Sequence, residues 1–199
     1  MAYPTVSGPY GLKPVNLIGG RVFAGATRQL PIASGYAANI FNGDVVKLVA
    51  AGTLEKDTGT ATATPVGVFI GCSYTSPALG YMLYSQYYPT GTVASDIVAY
   101  VVDDPEALFK VAVTAAGSAT MSTVARTAVG NNSVLIQTAG STATGDSKVS
   151  VSATTATTAT QPMRIIDVVP ETATGADAFS EVIVKWNWGM HQYQNATGV

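Results

Sequence analysis

The sequence is short of charge. Charged residues make up 11% of its 199 residues, and the ten basic side chains are scattered singly, whereas a typical soluble domain has about 25%. Because the formal net charge is -2 and no basic stripe is present, we expect no binding to nucleic acid through phosphate neutralisation. The polar surface must be built from Thr, Ser, Asn and Gln, which are compatible with strands and with large protein–protein contacts.

Cysteine and long apolar runs are also scarce. Cys72 is the single cysteine, which excludes an intrachain disulfide and a Cys-rich zinc site. No apolar run approaches the ~20 residues needed to span a bilayer. The first residues lack the basic start and apolar core of a signal peptide. We therefore expect a protein that is made in the cytoplasm and binds neither a membrane nor a metal or cofactor.

Three places hold candidate catalytic side chains, and each has a structural interpretation that the sequence favours. Asp103, Asp104 and Glu106 are the densest carboxylates, but Asp-Asp-Pro-Glu between two strands is typical of a turn. His191 is the single histidine, and the sequence contains no nucleophile motif with which it could form a catalytic triad. Its aromatic neighbours indicate a packing role. Cys72 follows an apolar strand and is expected to be an inert core thiol. We therefore predict that the protein is not an enzyme.

Short β-branched segments, separated by clusters of Gly, Pro, Asn, Asp or Ser, run through the chain from residue 21 onward. This pattern predicts an all-β fold: a compact antiparallel barrel or sandwich with an extended N-terminal arm and at most one short helix. The candidate helix, residues 121–129, is equally compatible with a loop. The predicted strands are residues 45–49, 66–70, 97–102, 108–113, 134–137, 148–151, 164–169 and 181–186.

Composition also suggests how the chain is organised. Residues 1–20 are rich in Pro and Gly, which predicts an extended arm, and residues 21–199 are predicted to form a single β-rich domain. Two tracts rich in Thr and Ala, 58–64 and 150–161, suit strand edges or ordered loops, and the second is equally compatible with a flexible linker. Residues 81–89 hold four tyrosines, which form either an exposed contact surface or a buried aromatic strand.

A series of motifs covers nearly the whole chain in the order YGLKPV, GDVVKL, TPVGVFIGCSY, YVVDDPEALFKV, QPMRIIDVV and EVIVKWNWGMHQY. In this order they resemble capsid decoration (cement) proteins and other head structural proteins of tailed bacteriophages, of the marine or cyanophage type. None of these motifs is catalytic, so the resemblance transfers no catalytic residue. It implies a β-rich, often trimeric virion protein that binds the major capsid protein on the capsid exterior and stabilises the shell.

The side chains expected to touch the capsid or a neighbouring subunit lie at the two ends of the chain, where aromatic and apolar anchors supply contact area. The predicted contact residues are Tyr3, Pro4, Tyr10, Leu12, Pro14, Trp188, His191 and Tyr193. Two alternatives stay open. One is another virion component, such as a head fibre, minor capsid or tail protein. The other is a carbohydrate-binding module that uses Trp186, Trp188 and the acidic turn.

Overall fold

The computed structural model describes residues 8–172 and 179–199 of the chain. Its regular structure is almost entirely strand, with three short 3-10 turns as the only helical segments in these ranges, so the prediction of an all-β fold is confirmed. The strands are β1 (Lys13–Leu17), β2 (Arg28–Pro31), β3 (Val45–Leu48), β4 (Leu54–Lys56), β5 (Gly67–Thr75), β6 (Met82–Ser85), β7 (Val98–Val102), β8 (Ala107–Thr114), β9 (Asn132–Ile136), β10 (Ser150–Ala156), β11 (Met163–Val168) and β12 (Glu181–Trp186).

The first sheet closes into a five-stranded barrel. Its strands follow the order β8-β10-β9-β11-β12, and β12 pairs again with β8 to complete the ring. The β8–β10 pairing is parallel at Val113 and Thr114, and the other pairings are antiparallel. β1 adds to the same edge of β8, over the half that β10 leaves uncovered. A closed barrel has no edge strand within its ring.

The second sheet stays open along part of its border. Its strands follow the order β2-β7-β5-β3-β4, and a single parallel bridge between Ile32 and Leu54 links the end of β2 to β4. β5 is nine residues long, so β3 covers only the first half of one edge. The short strand β6 covers the second half. In the part of the chain that the structure describes, β6 has no strand partner on its other side.

The barrel core follows from strict alternation along its strands. In β12 the side chains of Val182, Val184 and Trp186 are buried, while Ile183 and Lys185 face outward, as a strand with one buried face requires. Each such buried side chain contributes roughly 1.5–3 kcal/mol. Three valines of the second sheet complete the same apolar cluster, so the two sheets share a core; these valines are Val45, Val68 and Val102.

A buried carboxylate joins the two sheets. Asp44, which is 0% exposed, accepts hydrogen bonds from the Lys56 ammonium at 2.8 Å, the Phe41 backbone N–H at 2.9 Å and the Ser147 hydroxyl at 2.6 Å. Lys56 lies in the second sheet, whereas Ser147 lies three residues before the barrel strand β10. Both carboxylate oxygens therefore have partners, which is the condition under which a buried charge is tolerated.

The second half of the predicted N-terminal arm is built into the barrel. Lys13–Leu17 form β1 on β8, and Leu12 is 0% exposed in the barrel core. Gly11 has φ +82°, and a Cβ atom there would lie 2.9 Å from the Cα atom of Gly43. Only glycine permits both this backbone conformation and this approach. Residues 11–17 therefore belong to the folded body, and residues 1–7 lie outside the described ranges.

Every predicted strand overlaps an observed strand, and β1, β2, β4 and β6 are additional. The tract 150–161 begins with β10, a barrel strand whose first three residues are buried, so its first part is no flexible linker. The candidate helix 121–129 contains only a 3-10 turn, Arg126–Ala128. In the described ranges, no helix is long and apolar enough to cross a membrane.

Candidate contact surfaces

The acidic turn is held by local partners. The Asp104 carboxylate accepts the backbone N–H of Glu106 at 2.7 Å, as a turn residue does. Asp103 pairs with Arg28 at 2.8 Å, and Glu106 pairs with Lys185 at 2.9 Å. Across the part of the chain that the structure describes, no three His, Cys, Asp or Glu side chains are grouped to hold a metal ion. The arrangement supports the interpretation as a turn.

The Cys72 thiol lies inside the second sheet and has little nucleophilic character. It is 1% exposed and its sulfur lies 3.5 Å from the backbone oxygen of Tyr87. Burial raises the pKa of Cys72 to about 12. Since the thiolate is the reactive form, this side chain is a packing residue at neutral pH.

His191 is a packing residue at the end of the barrel. It is 0% exposed, and its ring centroid lies 6.3 Å from that of Trp186 and 5.1 Å from that of Tyr193. Its Nδ1 atom accepts the backbone N–H of Tyr193 at 3.2 Å. Burial lowers the pKa of His191, although the nearby carboxylates of Asp103 and Asp104 oppose the shift. The neutral ring is therefore the form that this fold accommodates.

Tyr193 ties the C-terminal segment to the second sheet. Its hydroxyl donates to the Asp103 carboxylate at 3.1 Å, and the Arg28 guanidinium lies 5.3 Å from its ring centroid. Burial and the charge of Asp103 raise the pKa of Tyr193. The residue is still 45% exposed, so part of its surface is accessible to a partner.

Tyr10 is engaged within the molecule. Its hydroxyl donates to the Glu181 carboxylate, and the Lys110 ammonium lies 5.8 Å from its ring centroid. Burial, followed by the hydrogen bond to Glu181, raises the pKa of Tyr10. Tyr10 thus anchors the start of the chain to β12 and β8.

The other predicted contact residues differ in what they can offer a partner. Leu12 and His191 are fully buried and present no surface. Pro14 is half-buried in β1, opposite β8. Tyr3 and Pro4 lie outside the described residues.

Trp188 is the most exposed of the predicted contact residues that the structure describes. It is 77% exposed and stands at the second position of a turn that the Met190 N–H closes onto the Asn187 oxygen at 3.1 Å. Gly189 has φ +78°, which this turn requires and glycine permits. Beside the ring lies a groove of about 220 Å³ on the outside of the barrel. We call this the Trp188 groove; it is lined by Ile18, Arg164, Ile166, Lys185, Asn187 and Trp188, with Trp186 at its base.

The largest concentration of exposed apolar side chains lies elsewhere, around β6. Five of the eleven large apolar side chains that are exposed in the described residues fall between residues 79 and 93. We call this group the apolar edge; its members and exposed fractions are Leu79 56%, Tyr81 57%, Met82 53%, Tyr84 75% and Val93 66%.

The geometry of the apolar edge comes from the hairpin that precedes β6. The Ser76 N–H donates to the Tyr81 oxygen at 3.0 Å, and Gly80 takes φ +73° in the connecting turn. Alternation along β6 then turns Leu83 toward the core, while Met82 and Tyr84 share the outer face. A cavity of about 450 Å³ lies beside it, between residues 76–78 and 89–93.

The apolar edge lacks the usual protection of an exposed strand. Edge strands commonly carry Lys, Pro or inward charges that prevent pairing with another chain. Residues 58–95 contain no Asp, Glu, Lys, Arg or His at all. The sequence is equally compatible with an exposed contact surface and a buried aromatic strand, and the structure divides the tyrosines of residues 81–89: Tyr81 and Tyr84 are exposed, whereas Tyr88 is 0% exposed. The long uncharged run was the feature that could have identified it.

Comparisons of the chain with protein-family models, with curated proteins and with solved structures find no match. The resemblance to phage head proteins therefore stays a prediction.

Proposed function

We propose that the protein is a capsid decoration (cement) protein, a structural virion component that binds the outer surface of a phage capsid and stabilises the shell. The observation that supports it best is the apolar edge, an uncharged strand border with five large apolar side chains more than half exposed. Such a surface lowers the solubility of a protein unless another protein covers it. A β-rich body that displays it has the form expected of a module whose task is assembly.

The apolar edge suits a partner that adds a strand. The backbone N–H and C=O groups on the outer side of β6 can pair with an extended segment, while Met82 and Tyr84 present apolar area on one face. Tyrosine and methionine are enriched at protein interfaces. The major capsid protein is the partner that the motif resemblance implies.

The proposal includes a homotrimer on the capsid exterior, as the resemblance implies. In a lattice many copies act together, so individually weak contacts add to a stable shell. Light scattering of the purified protein tests the oligomeric state. A trimer is expected, and a monomer at every concentration would contradict this part of the proposal.

The direct test adds purified protein to DNA-filled heads of the encoding phage that lack it. Co-sedimentation at a fixed stoichiometry is expected, together with a higher temperature of DNA release. The informative variant is Met82→Lys with Tyr84→Lys, which places two charges on the apolar edge. It should no longer co-sediment, because a lysine desolvated at the centre of an interface leaves an unpaired charge.

A matched control is Val22→Lys. Val22 is 78% exposed and is bridged to Asn16 of β1, so a lysine there adds positive charge at an exposed apolar position beside the other sheet. This variant should co-sediment like the unmodified protein. Unchanged binding of the double variant, or no binding of the unmodified protein to any head, would overturn the proposal.

A further inference from the structure

Two cations lie side by side on the outside of the barrel with only one carboxylate between them. Arg164 of β11 pairs across the strands with Lys185 of β12, so the two side chains share a face, an arrangement that is unfavourable for like charges. Glu106 neutralises Lys185 at 2.9 Å. In the described ranges, Arg164 contacts no carboxylate and hydrogen-bonds only to neutral amides. The local excess of positive charge therefore belongs to Arg164.

The exposed Arg164 guanidinium is held in place by two buried amides. Its Nε donates to Asn132 at 3.0 Å and its Nη2 donates to Asn187 at 3.1 Å. Asn132 and Asn187 are 2% and 4% exposed. Their own amide nitrogens donate to backbone oxygens of residues 158, 159 and 161, which fixes their orientation. Arginine has five N–H groups, and two of them donate to these asparagines. The other three remain available to a ligand on a guanidinium whose orientation is already fixed.

The same asparagine positions the exposed tryptophan. The Oδ1 atom of Asn187 accepts both the Arg164 guanidinium and the backbone N–H of Trp188, each at 3.1 Å. Arg164 and Trp188 thus line one groove with a fixed relation to each other, and Ile18 and Ile166 add apolar surface between them. Holding a charged fork and an aromatic ring in advance lowers the entropic cost of binding a ligand.

We propose that the Trp188 groove binds an acidic saccharide, with the apolar face of one sugar ring on Trp188 and its carboxylate on Arg164. A uronic acid ring has both features: axial C–H groups that present an apolar face, and a carboxylate at its edge. Arginine recognises carboxylates through two parallel N–H···O bonds, which lysine does not provide. Trp186, the other tryptophan of the carbohydrate hypothesis, is 2% exposed in the core and offers no platform.

The size and surroundings of the groove favour a sugar over a protein surface. Its volume is about 220 Å³, below the roughly 300–1,000 Å³ of pockets for drug-sized ligands, so it accommodates one ring. Protein hot spots are surrounded by further contacts that exclude water. Here the exposed apolar side chains of the groove are Trp188 and the partly exposed Ile18, whereas the largest group of exposed apolar side chains lies on the other sheet at the apolar edge. The proposed site is independent of capsid binding.

Titration with oligogalacturonate, monitored by tryptophan fluorescence and calorimetry, tests the site. Trp188 is the exposed indole of the groove, whereas Trp186 is buried at its base, so loss of the fluorescence change in Trp188→Ala assigns the signal to Trp188. Binding is expected to quench the exposed indole, to weaken with salt and to be absent with a neutral cello-oligosaccharide of equal length. Loss of one charge-assisted contact corresponds to about tenfold or more in affinity. We expect at least that loss for Trp188→Ala, for Arg164→Gln and for Arg164→Lys.

The controls separate this site from general effects. Lys148→Gln removes an exposed cation outside the groove and should leave the affinity unchanged, as should Tyr84→Ala at the apolar edge. Each variant must keep the melting temperature of the unmodified protein to within a few degrees. Equal binding of the neutral oligosaccharide, equal binding of poly-glutamate, or unaltered affinity of Arg164→Gln would each overturn the proposal, as would no binding of oligogalacturonate.

Discussion

The barrel and the second sheet differ in how they use their edges. In the barrel, β12 returns to β8, and β1 covers the rest of that strand. In the second sheet, β3 pairs with only the first half of one edge of β5, and the hairpin strand β6 pairs with the second half. No described strand covers the outer edge of β6. β1 is an edge strand of the first sheet as well, with one isolated bridge from Asn16 to Val22. The free border of β6 differs because it lies within the uncharged residues 58–95.

The side chains follow the same division. The barrel side exposes Trp188 beside a fixed arginine, together with the scattered aliphatic side chains Val15, Ile18 and Val22, whereas the second sheet exposes five apolar side chains and no charge across residues 58–95. A closed barrel with a small charged groove suits a compact anionic ligand. An open, uncharged border suits a protein. The difference between the two regions predicts which substitutions should lower the stability of the fold, which should weaken assembly and which should do neither.

The largest effect is expected at the junction of the two sheets. Asp44→Ala leaves the ammonium of Lys56, which is 13% exposed, without its buried partner. Breaking such a pair costs about 3–5 kcal/mol. Chemical denaturation should show this loss in a single transition, because Asp44 also binds Ser147 of the barrel side. Two separate transitions would show that the two sheets unfold independently and would contradict a shared core.

The next effect is on assembly and leaves the fold intact. Tyr84→Lys, at a position that is 75% exposed, should weaken capsid binding by about 2 kcal/mol or more, the range of interface hot spots. The free energy of unfolding should change by less than about 0.5 kcal/mol. Binding isotherms and urea denaturation of one preparation measure both quantities. A large stability loss would mean that the tyrosine supports the fold rather than a partner.

A smaller effect is expected of acidic pH on the free energy of unfolding. The pKa of His191 is lowered from 6.5 by burial, so the unfolded chain takes up a proton at a pH where the folded chain does not. The contribution to stability is complete above pH ~6.5 and falls with decreasing pH by up to about 1.4 kcal/mol per pH unit. Protonation also places a hydrogen on Nδ1, which now accepts the Tyr193 N–H.

Urea denaturation between pH 5 and pH 7.5 measures this dependence. The variant His191→Gln has no titrating ring and should show a flatter profile over that interval. Equal slopes in the two proteins would contradict the assignment of a neutral, buried His191.

The smallest effect is expected at the Trp188 groove. Trp188→Ala should change the free energy of unfolding by less than about 0.5 kcal/mol, because the ring is 77% exposed and its turn is closed by backbone groups. A thermal melt in the absence of saccharide measures this. A marked decrease in the melting temperature would indicate that the Trp188 ring packs on the barrel and stabilises the fold instead of serving as a binding surface.

Strands with a buried alternating face could be predicted from the sequence, and those at borders could not. Residues 181–186 form β12 over the predicted bounds, since Val, Ile and Trp alternate inward and outward there. β1 contains Pro14, and β4 is a three-residue strand with two charges. Whether β1 and β4 form depends on the neighbouring strand with which each pairs, and the hydrophobic pattern of the segment itself does not identify that strand.

The candidate surfaces show the same limit. The two tryptophans have similar sequence surroundings, yet Trp186 ends a barrel strand with its ring inside and Trp188 lies in the next turn. Leu12 and His191 were expected to contact a partner because both lie near chain ends. They are buried because Leu12 lies in the barrel core beside β1 and His191 packs against Trp186 at the end of the barrel. Burial of a terminal residue depends on tertiary contacts, which composition does not encode.

Hydrogen–deuterium exchange of the protein, alone and bound to capsids, tests most directly where the protein docks. If the apolar edge is the docking surface, the backbone amides of β6 and of residues 76–81 should become protected on binding. Peptides covering the Trp188 groove should exchange at unchanged rates. Protection confined to the barrel, with β6 exchanging as in the isolated protein, would contradict the account.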